Sequence, residues 1–202
     1  MTAERLGNAD RQLAHTGLVE TLLIGAAGVG AAWASVVAAP GWSGAAGVVL
    51  AVLMSAIAIV DRHRLVIPNE LNGAAFIAGL AAAGLLTDAA REEAVLDSLL
   101  RAGLMFGLFF VFRIAYRRVR GIEGMGLGDV KLAAVAGAWL DWAWLPVAVD
   151  IAAISALAVA LFRRLRGVGL DPKARLPFGA YFAPAIWICW LLAALRSDWP
   201  LN

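Results

Sequence analysis

Two aspartates stand at the edges of strongly apolar runs in this sequence. Asp61 closes the run at residues 44–60, and Asp129 is the third residue of the run at residues 127–144. An ionisable group inside an apolar span is expensive to bury, so such a group predicts a functional site. Four further carboxylates lie in or beside apolar runs: Glu20, Glu70, Asp141 and Asp150.

A pair of carboxylates suits the hydrolysis of a peptide bond by an activated water molecule. One carboxylate takes a proton from water while the other, protonated, donates to the carbonyl oxygen, and two carboxyls that share a site do not ionise together. This chemistry requires the carboxyl groups of Asp61 and Asp129 to lie within one water molecule's reach, roughly 3–6 Å apart. The same residues also suit an ion or proton pathway, and the carboxylates alone leave both functions open.

The sequence contains few residues that could support another catalytic mechanism. The chain has two histidines, His15 and His63, and a single cysteine, Cys189. It contains no HExxH helix, no GxSxG turn and no P-loop lysine motif, and one cysteine forms neither an internal disulfide nor a paired-cysteine zinc site. We therefore expect no metal and no cofactor. We expect His63 to be solvated and Cys189 to be a small apolar residue of a helix.

The elements that position these carboxylates are predicted to be membrane helices. Hydrophobic residues make up 62% of the 202 residues and charged residues 16%, whereas soluble domains average about 45–50% and about 25%. Open sheets leave unpaired backbone groups in lipid, so the predicted fold class is all-α, a polytopic transmembrane bundle. Runs of about 20 apolar residues predict spans at residues 17–39, 44–60, 67–86, 95–112, 127–144, 146–162 and 178–195.

The basic residues predict how the bundle is oriented. Thirteen of the 17 Lys and Arg residues fall in the N-terminus and in the loops after the second, fourth and sixth spans. The positive-inside rule places these segments in the cytoplasm. Asp61 and Asp129 then lie at the cytoplasmic face, where Glu20 is expected to be solvated. Asp141 and Asp150 lie towards the opposite face, where we expect interfacial carboxylates.

The local sequence around both aspartates carries recognisable motifs. Asp61 begins DRHRLVIPN (residues 61–69), Asp129 ends the GxGD of GLGDVK (residues 126–131), and LPFGAYFAPA (residues 176–185) opens the last span. In this order and topology the segments resemble the type IV prepilin peptidases, members of the GxGD intramembrane aspartyl proteases, over about residues 44–195. The resemblance implies that Asp61 and Asp129 are catalytic. It implies site-shaping or substrate-binding roles for Pro68, Asn69, Gly126, Gly128, Lys131, Pro177, Phe178 and Gly179.

The glycines of the GxGD motif leave room beside Asp129. Without side chains, Gly126 and Gly128 allow either a positive φ or the close approach of an extended peptide. Pro68 suits the start of a helix, because its missing N–H is not needed in the first turn. Snorkelling to the interface explains Lys131 equally well.

The resemblance also implies an activity, a substrate and a location. The activity is that of a leader peptidase, which cuts a prepilin or pseudopilin precursor after a glycine at the cytoplasmic face of the bacterial cytoplasmic membrane. The precursor carries a short basic leader and then an apolar helix. No nucleic-acid partner is implied, and membrane lipid is expected to contact the basic residues.

The chain resembles the short, protease-only members of that family. Larger members carry a cysteine-bearing insertion linked to N-methylation, whereas this chain has a short connection between its first two spans and no CxxC. We expect residues 1–43 to form a cytoplasmic N-terminus and an extra helix, residues 44–195 the peptidase core, and residues 196–202 a short tail.

Two other functions remain open. A proton-coupled transporter, or a membrane subunit of a pilus or secretion assembly, would use carboxylates across the whole membrane depth, including Asp141 and Asp150. A peptidase would tolerate neutral residues at those two positions. A presenilin-like enzyme would keep the GxGD chemistry but cut other single-span helices.

Overall fold

Seven α-helices make up the part of the chain that the structure describes. The structure is a computed structural model that describes residues 3–87, 90–121, 123–167 and 177–196, and no strand occurs within those ranges. The helices are α1 (Ala3–Ala38), α2 (Trp42–Arg64), α3 (Asn69–Leu85), α4 (Arg91–Arg120), α5 (Leu127–Trp139), α6 (Trp144–Leu165) and α7 (Phe178–Leu195). The predicted all-α bundle is confirmed. The predicted tail lies outside the described residues beyond residue 196.

Five of these helices are long and apolar enough to cross a bilayer. Their candidate spans are Gly17–Ala38, Trp42–Arg64, Arg91–Arg120, Trp144–Leu165 and Phe178–Leu195. The protein is therefore a multi-pass membrane protein. Two predicted spans correspond to shorter helices, since α3 has 17 residues and α5 has 13, against the about 20 that a spanning helix needs.

The short helix α5 lies inside the bundle. Nine of its 13 residues are buried, and it contacts α3, α4, α6 and α7. The span predicted for residues 127–144 is wrong at its far end, because the helix stops at Trp139 and Leu140 is extended (φ −113°, ψ 145°). A helix covered by protein does not need the full thickness of the bilayer, because its ends are not exposed to lipid.

The first helix is longer than its predicted span. The span was expected from residue 17, whereas α1 begins at Ala3. The preceding segment contains Ala, Glu, Arg, Leu and Gln, which have high helix propensity, so the helix continues beyond its apolar part. α1 packs against α2 and α7.

Small residues allow the helices to approach closely. A Cβ at Gly137 of α5 would lie 2.5 Å from the backbone nitrogen of Ala102 in α4, and a Cβ at Gly47 of α2 would overlap the ring of Trp190 in α7. In lipid, helices associate through van der Waals packing, which such close contacts strengthen. Glycines thus bring α4 onto α5 and α7 onto α2.

A buried arginine joins α4 to α5 at the end of the bundle where α5 stops. Arg101 is 7% exposed. Its guanidinium donates to the carbonyl of Gly137 (3.2 Å), to Ser98 Oγ (2.9 Å) and to Asp141 Oδ1 (3.1 Å), and it also pairs with Asp97. The side chain of Asp141 is 33% exposed, as expected near an interface. Asp141 also does more than an interfacial carboxylate was expected to do, because it compensates the buried charge of Arg101.

At the other end of the bundle, α2 ends where α3, α5 and α7 begin. We call this region the aspartate end, because Asp61 and Asp129 both lie there and line one cleft. α2 terminates in a left-handed residue, Leu65 (φ 53°, ψ 30°), which turns the chain towards α3. Helix N-termini carry amides without intrahelical partners and a partial positive charge. The aspartate end is therefore a favourable environment for carboxylates.

Candidate active site

Asp61 lies in the last turn of α2 and is 4% exposed. Its Oδ2 accepts a hydrogen bond of 2.9 Å from the backbone N–H of Ala180, and the amide of Gly179 also interacts with it. Both amides belong to the first turn of α7, where N–H groups lack the usual partner four residues earlier, and the N–H of Ala180 is shared with the carbonyl of Pro177 at 3.2 Å. The start of α7 therefore holds the carboxylate of Asp61 in place.

Asp129 is the third residue of α5 and points back over the start of its own helix. Its Oδ2 accepts a hydrogen bond of 3.1 Å from the N–H of Gly126, the residue that precedes α5. Its Oδ1 is buried and has no hydrogen-bond partner among the described residues. Buried polar atoms usually have partners, so an exception suggests a place for water or a ligand.

The two aspartates share two adjoining spaces. A cleft of about 580 Å³ is lined by Asp61 and Asp129, and both also line a narrower cavity of about 50 Å³. Pro177 and Phe178, at the start of α7, line the narrow cavity together with both aspartates. A water molecule needs roughly 10–15 Å³ of such space, so the narrow cavity has room for one.

All the predicted site-shaping residues lie at this site, although their roles remain a prediction. Gly179 contacts Asp61 directly. The wide cleft is lined by Pro68, Asn69, Gly126, Gly128 and Lys131, and the narrow cavity by Gly126, Pro177 and Phe178.

The glycines at the site permit close packing. A Cβ at Gly179 would lie 2.9 Å from Asp61 Oδ2 and 2.6 Å from Cδ1 of Ile67. A Cβ at Gly128 would lie 3.0 Å from Cβ of Ile67. Of the two expected roles, positive φ does not occur at Gly126 or Gly128. Gly126 has φ −71° and ψ 154°, because it leads directly into a right-handed helix.

Two asparagines bond the start of α3 to the start of α5. Lys131 Nζ donates to Asn69 Oδ1 at 2.6 Å. Lys131 therefore bonds to another helix in addition to lying near the interface. Asn72 Nδ2 donates to the carbonyl of Gly128 at 3.2 Å, and Asn72 is 4% exposed. Asn72 was not among the site residues predicted from the sequence. The available signal was a polar residue in an apolar run, three positions after Asn69 and on the same helix face.

Prolines and aromatic rings fix where two of these helices begin. Pro68 (φ −59°, ψ 139°) directly precedes α3, as predicted for a helix start, and Pro177 (φ −70°, ψ 81°) precedes α7. The ring of Phe178 lies 5.3 Å from that of Phe182 and 6.4 Å from that of Phe109 in α4. These contacts anchor the first turn of α7, and with it the amides at the site.

An arginine of α4 forms hydrogen bonds with the connection between α4 and α5. Arg113 donates to the carbonyl of Met125 at 3.1 Å and to Glu123 at 3.0 Å, and Arg117 lies 3.8 Å from the same carboxylate. Arg113 and Glu123 both line the wide cleft. In the sequence, these arginines predicted only the orientation of the bundle. The missed signal was Glu123, an acidic residue directly after a strongly basic helix end.

The remaining carboxylates differ in their surroundings. Glu70 is exposed and lines the wide cleft. Glu20 of α1 is not simply solvated, because it pairs with Arg62 at 3.2 Å. Asp150 is exposed on α6. Within the described ranges, no group of three or more His, Cys, Asp or Glu side chains could hold a metal ion.

Comparison with known proteins gives one family and a set of relatives. The type IV leader peptidase family matches residues 48–161. The prepilin leader peptidase/N-methyltransferase of Aeromonas salmonicida (strain A449) is 31% identical over 169 residues, which cover 81% of this chain and 54% of that protein. The protein of the same name from Burkholderia pseudomallei (strain 1026b) is 33% identical over 158 residues, covering 78% and 50%.

A shorter relative also matches. Leader peptidase HopD of Escherichia coli is 36% identical over 101 residues, which cover 50% of this chain and 65% of that protein. The chain spans about half the length of the two prepilin leader peptidase/N-methyltransferases. No solved structure matches the chain.

Proposed function

This chain belongs to the type IV leader peptidase family, and we propose that it is a membrane-embedded aspartyl endopeptidase that removes the leader peptide of pilin-like precursors. One observation carries the proposal. Asp61 and Asp129 come from different helices and line the same cleft, where Asp129 keeps one buried oxygen without a partner among the described residues. A pair of carboxylates beside space for water is what metal-free peptide hydrolysis requires.

In the proposed mechanism the two carboxyls share one proton. The ionised member takes a proton from water as the water oxygen attacks the scissile carbonyl carbon, and the protonated member gives its proton to the carbonyl oxygen. The resulting diol collapses when the first carboxyl returns its proton to the leaving nitrogen and the second takes the proton back from a hydroxyl group. The C–N bond breaks, and the pair returns to its starting state.

The chain around the pair is suited to an extended substrate. Pro68 and Gly126 both have extended backbone, with ψ of 139° and 154°, and both line the wide cleft. A peptide must be extended to expose its scissile carbonyl, and pairing with an extended backbone segment is a common way to hold one. Cleavage is proposed to follow a glycine, which offers little steric hindrance at the crowded pair.

The orientation is part of the proposal. Thirteen of the 17 basic residues belong to the N-terminal segment, to the ends of α2, α4 and α6 on the side of the aspartate end, and to the connection after α6. That end is therefore proposed to face the cytoplasm of a bacterium. The leader would then be cut at the cytoplasmic face of the cytoplasmic membrane. The same basic residues would contact anionic lipid. The N-methyltransferase activity in the names of the longer relatives is not carried over, because this chain spans about half their length.

A proton pathway receives less support from the carboxylates at the other end of the bundle. Asp141 is bonded to the buried Arg101, and Asp150 is exposed on α6. The two therefore do not continue a line of carboxylates from the pair. The choice between peptidase and transporter is tested by the same experiment as the proposed mechanism.

The test is cleavage of a synthetic prepilin-like leader with a Gly–Phe junction by the purified full chain in detergent. Asp61→Asn and Asp129→Asn should each lower the rate by about 10²–10⁴-fold or more, since each removes a general acid or base. Asp150→Asn is the matched control and should cleave like the wild type. Cleavage that survives in both variants would show that the two aspartates are not the catalytic residues. Absence of cleavage by a folded wild-type protein would favour the pathway or assembly function.

A further inference from the structure

The last turn of α2, which carries Asp61, is bound on its outer side by α1. Arg62 donates through Nε and Nη2 to the two carboxylate oxygens of Glu20, at 3.3 and 3.2 Å. The Nε2 of His63 lies 2.9 Å from Oγ1 of Thr21. The two residues that directly follow Asp61 therefore each have a polar partner on α1.

Both contacts are directional. The Thr21 hydroxyl donates to the carbonyl of Gly17 at 2.8 Å, which leaves its oxygen free to accept from Nε2 of His63 in the tautomer that carries the proton there. The two-point contact between Arg62 and Glu20 sets the orientation of the guanidinium as well as its distance. Together the two contacts restrict rotation and fraying of the turn.

The end of α2 needs such support. The last four carbonyls of a helix have no intrahelical partner, and helix ends open more readily than helix centres. Asp61 is held from one side by the amide of Ala180 in α7. Successive helix residues are about 100° apart around the axis, so Arg62 and His63 point away from Asp61 towards α1. The turn is thus held from two different sides.

α1 is itself anchored along its length. Ser35, near its far end, is fully buried and accepts a hydrogen bond of 3.0 Å from Nε1 of Trp187 in α7. Gly28 lies close to α2, since a Cβ there would lie 2.6 Å from Oγ of Ser55. α1 therefore spans α2 and α7, the two helices that place Asp61. It lies before residue 48, where the family match begins.

We propose that α1 is a positioning element of the active site, and that Glu20 and Thr21 fix the last turn of α2 and so the place of Asp61. This inference rests on the proposed peptidase function. Neither residue touches the reacting atoms, so both act through Asp61. Their loss changes the turnover of bound substrate and leaves substrate binding unaffected.

Steady-state kinetics of the purified full chain test the proposal. Glu20→Ala and Thr21→Val should each lower kcat about two- to fivefold with KM unchanged, the range that a partly exposed polar contact supports. Thr21→Ser keeps the acceptor and should restore wild-type kcat. In an Arg62→Ala background, Glu20→Ala should lower kcat little further, because both substitutions remove the same interaction. Glu92→Ala, at an exposed acidic position of α4, is the control.

Amide hydrogen exchange provides a readout that needs no substrate. In Glu20→Ala and Thr21→Val, exchange at residues 62–65 should rise several-fold while exchange in α5 stays at its wild-type rate. Unchanged exchange would show that α1 does not order the turn. Faster exchange with wild-type kcat would show that the order of the turn does not serve catalysis, and either result overturns the proposal. An inactive wild type would instead refute the peptidase function, whereas the exchange result would still decide whether α1 orders the turn.

Discussion

Replacement of Gly179 by alanine probes the packing around Asp61 directly. The new Cβ would lie 2.9 Å from Asp61 Oδ2 and 2.6 Å from Cδ1 of Ile67, whereas ordinary contacts begin at 3.4 Å. The carboxylate must therefore move by about 0.5 Å, the difference between 3.4 and 2.9 Å, or the start of α7 must retreat. Either movement disturbs the hydrogen bond from Ala180 that holds Asp61.

The expected loss of activity follows from this displacement. A misplacement of 1 Å at a reacting group lowers a rate by about 10²-fold. Half that displacement corresponds to about a tenfold fall in kcat, or ~1.4 kcal/mol in the activation free energy. Alanine is favoured over glycine in a helix by about 1 kcal/mol, which offsets part of the steric cost. We therefore expect a loss of activity that exceeds any loss of stability.

The assay compares two alanine substitutions in the same cleavage reaction. A Cβ at Gly73 of α3 would have no neighbouring atom within 4 Å, so Gly73→Ala should keep wild-type kcat and is the matched control. Thermal unfolding in detergent, measured for both variants, separates loss of fold from loss of turnover. A Gly179→Ala enzyme whose kcat lies within twofold of that of Gly73→Ala would refute the steric argument.

Three further predictions concern residues that bond one helix to another. Arg101→Ala removes the buried hydrogen bonds to Gly137 and Ser98 and leaves the partly exposed Asp97 and Asp141 without their cation, so the unfolding free energy should fall by about 1–3 kcal/mol in detergent denaturation. A loss no larger than that of the exposed Arg91→Ala would contradict this. Burial raises the pKa of Asp141 above 3.8, Arg101 lowers it and Asp97 raises it, with a net rise. The folded protein therefore binds this proton more tightly than the unfolded chain, and stability present at low pH is lost as the pH rises through the raised pKa. In Asp141→Asn, the unfolding free energy should depend less on pH in this range. An unchanged pH dependence would show that Asp141 is not the group that causes it. Asn72→Ala removes the hydrogen bond to Gly128 and should lower kcat about fivefold, since such a bond contributes about 1 kcal/mol. Thr87→Ala, just beyond the other end of α3, should not lower kcat, and equal kinetics of the two variants would rule out a role for Asn72.

Several features of the protein could be predicted from the sequence because they are local. Each apolar run predicts a helix, since a backbone in lipid must satisfy its own hydrogen bonds. Asp61 and Asp129 stood out because a carboxylate in an apolar run is costly wherever the run packs. Pro68 marked a helix start for an equally local reason, the absence of its N–H.

Contacts between distant parts of the chain were not predictable in this way. Asn72 reaches Gly128 across 56 positions, and Arg101 reaches Asp141 across 40. Each contact forms only when two particular helix surfaces pack against each other. Which surfaces do so depends on close packing at residues such as Gly137. Hydropathy records only that a residue is apolar, so it does not specify its neighbour. The predicted length of α5 was wrong for the same reason, since burial by other helices decides how far it must extend.

The sequence by itself determined that this is a multi-helix membrane protein with two aspartates at the edges of its spans. The tertiary structure decided that the first turn of α7 donates a hydrogen bond to Asp61, 119 positions away. It also decided that α1 contacts Arg62 and His63, the residues that follow Asp61. Only packing can decide such matters. A helix presents a different residue to each neighbour about every 100°, and small residues determine which face comes close enough for a hydrogen bond.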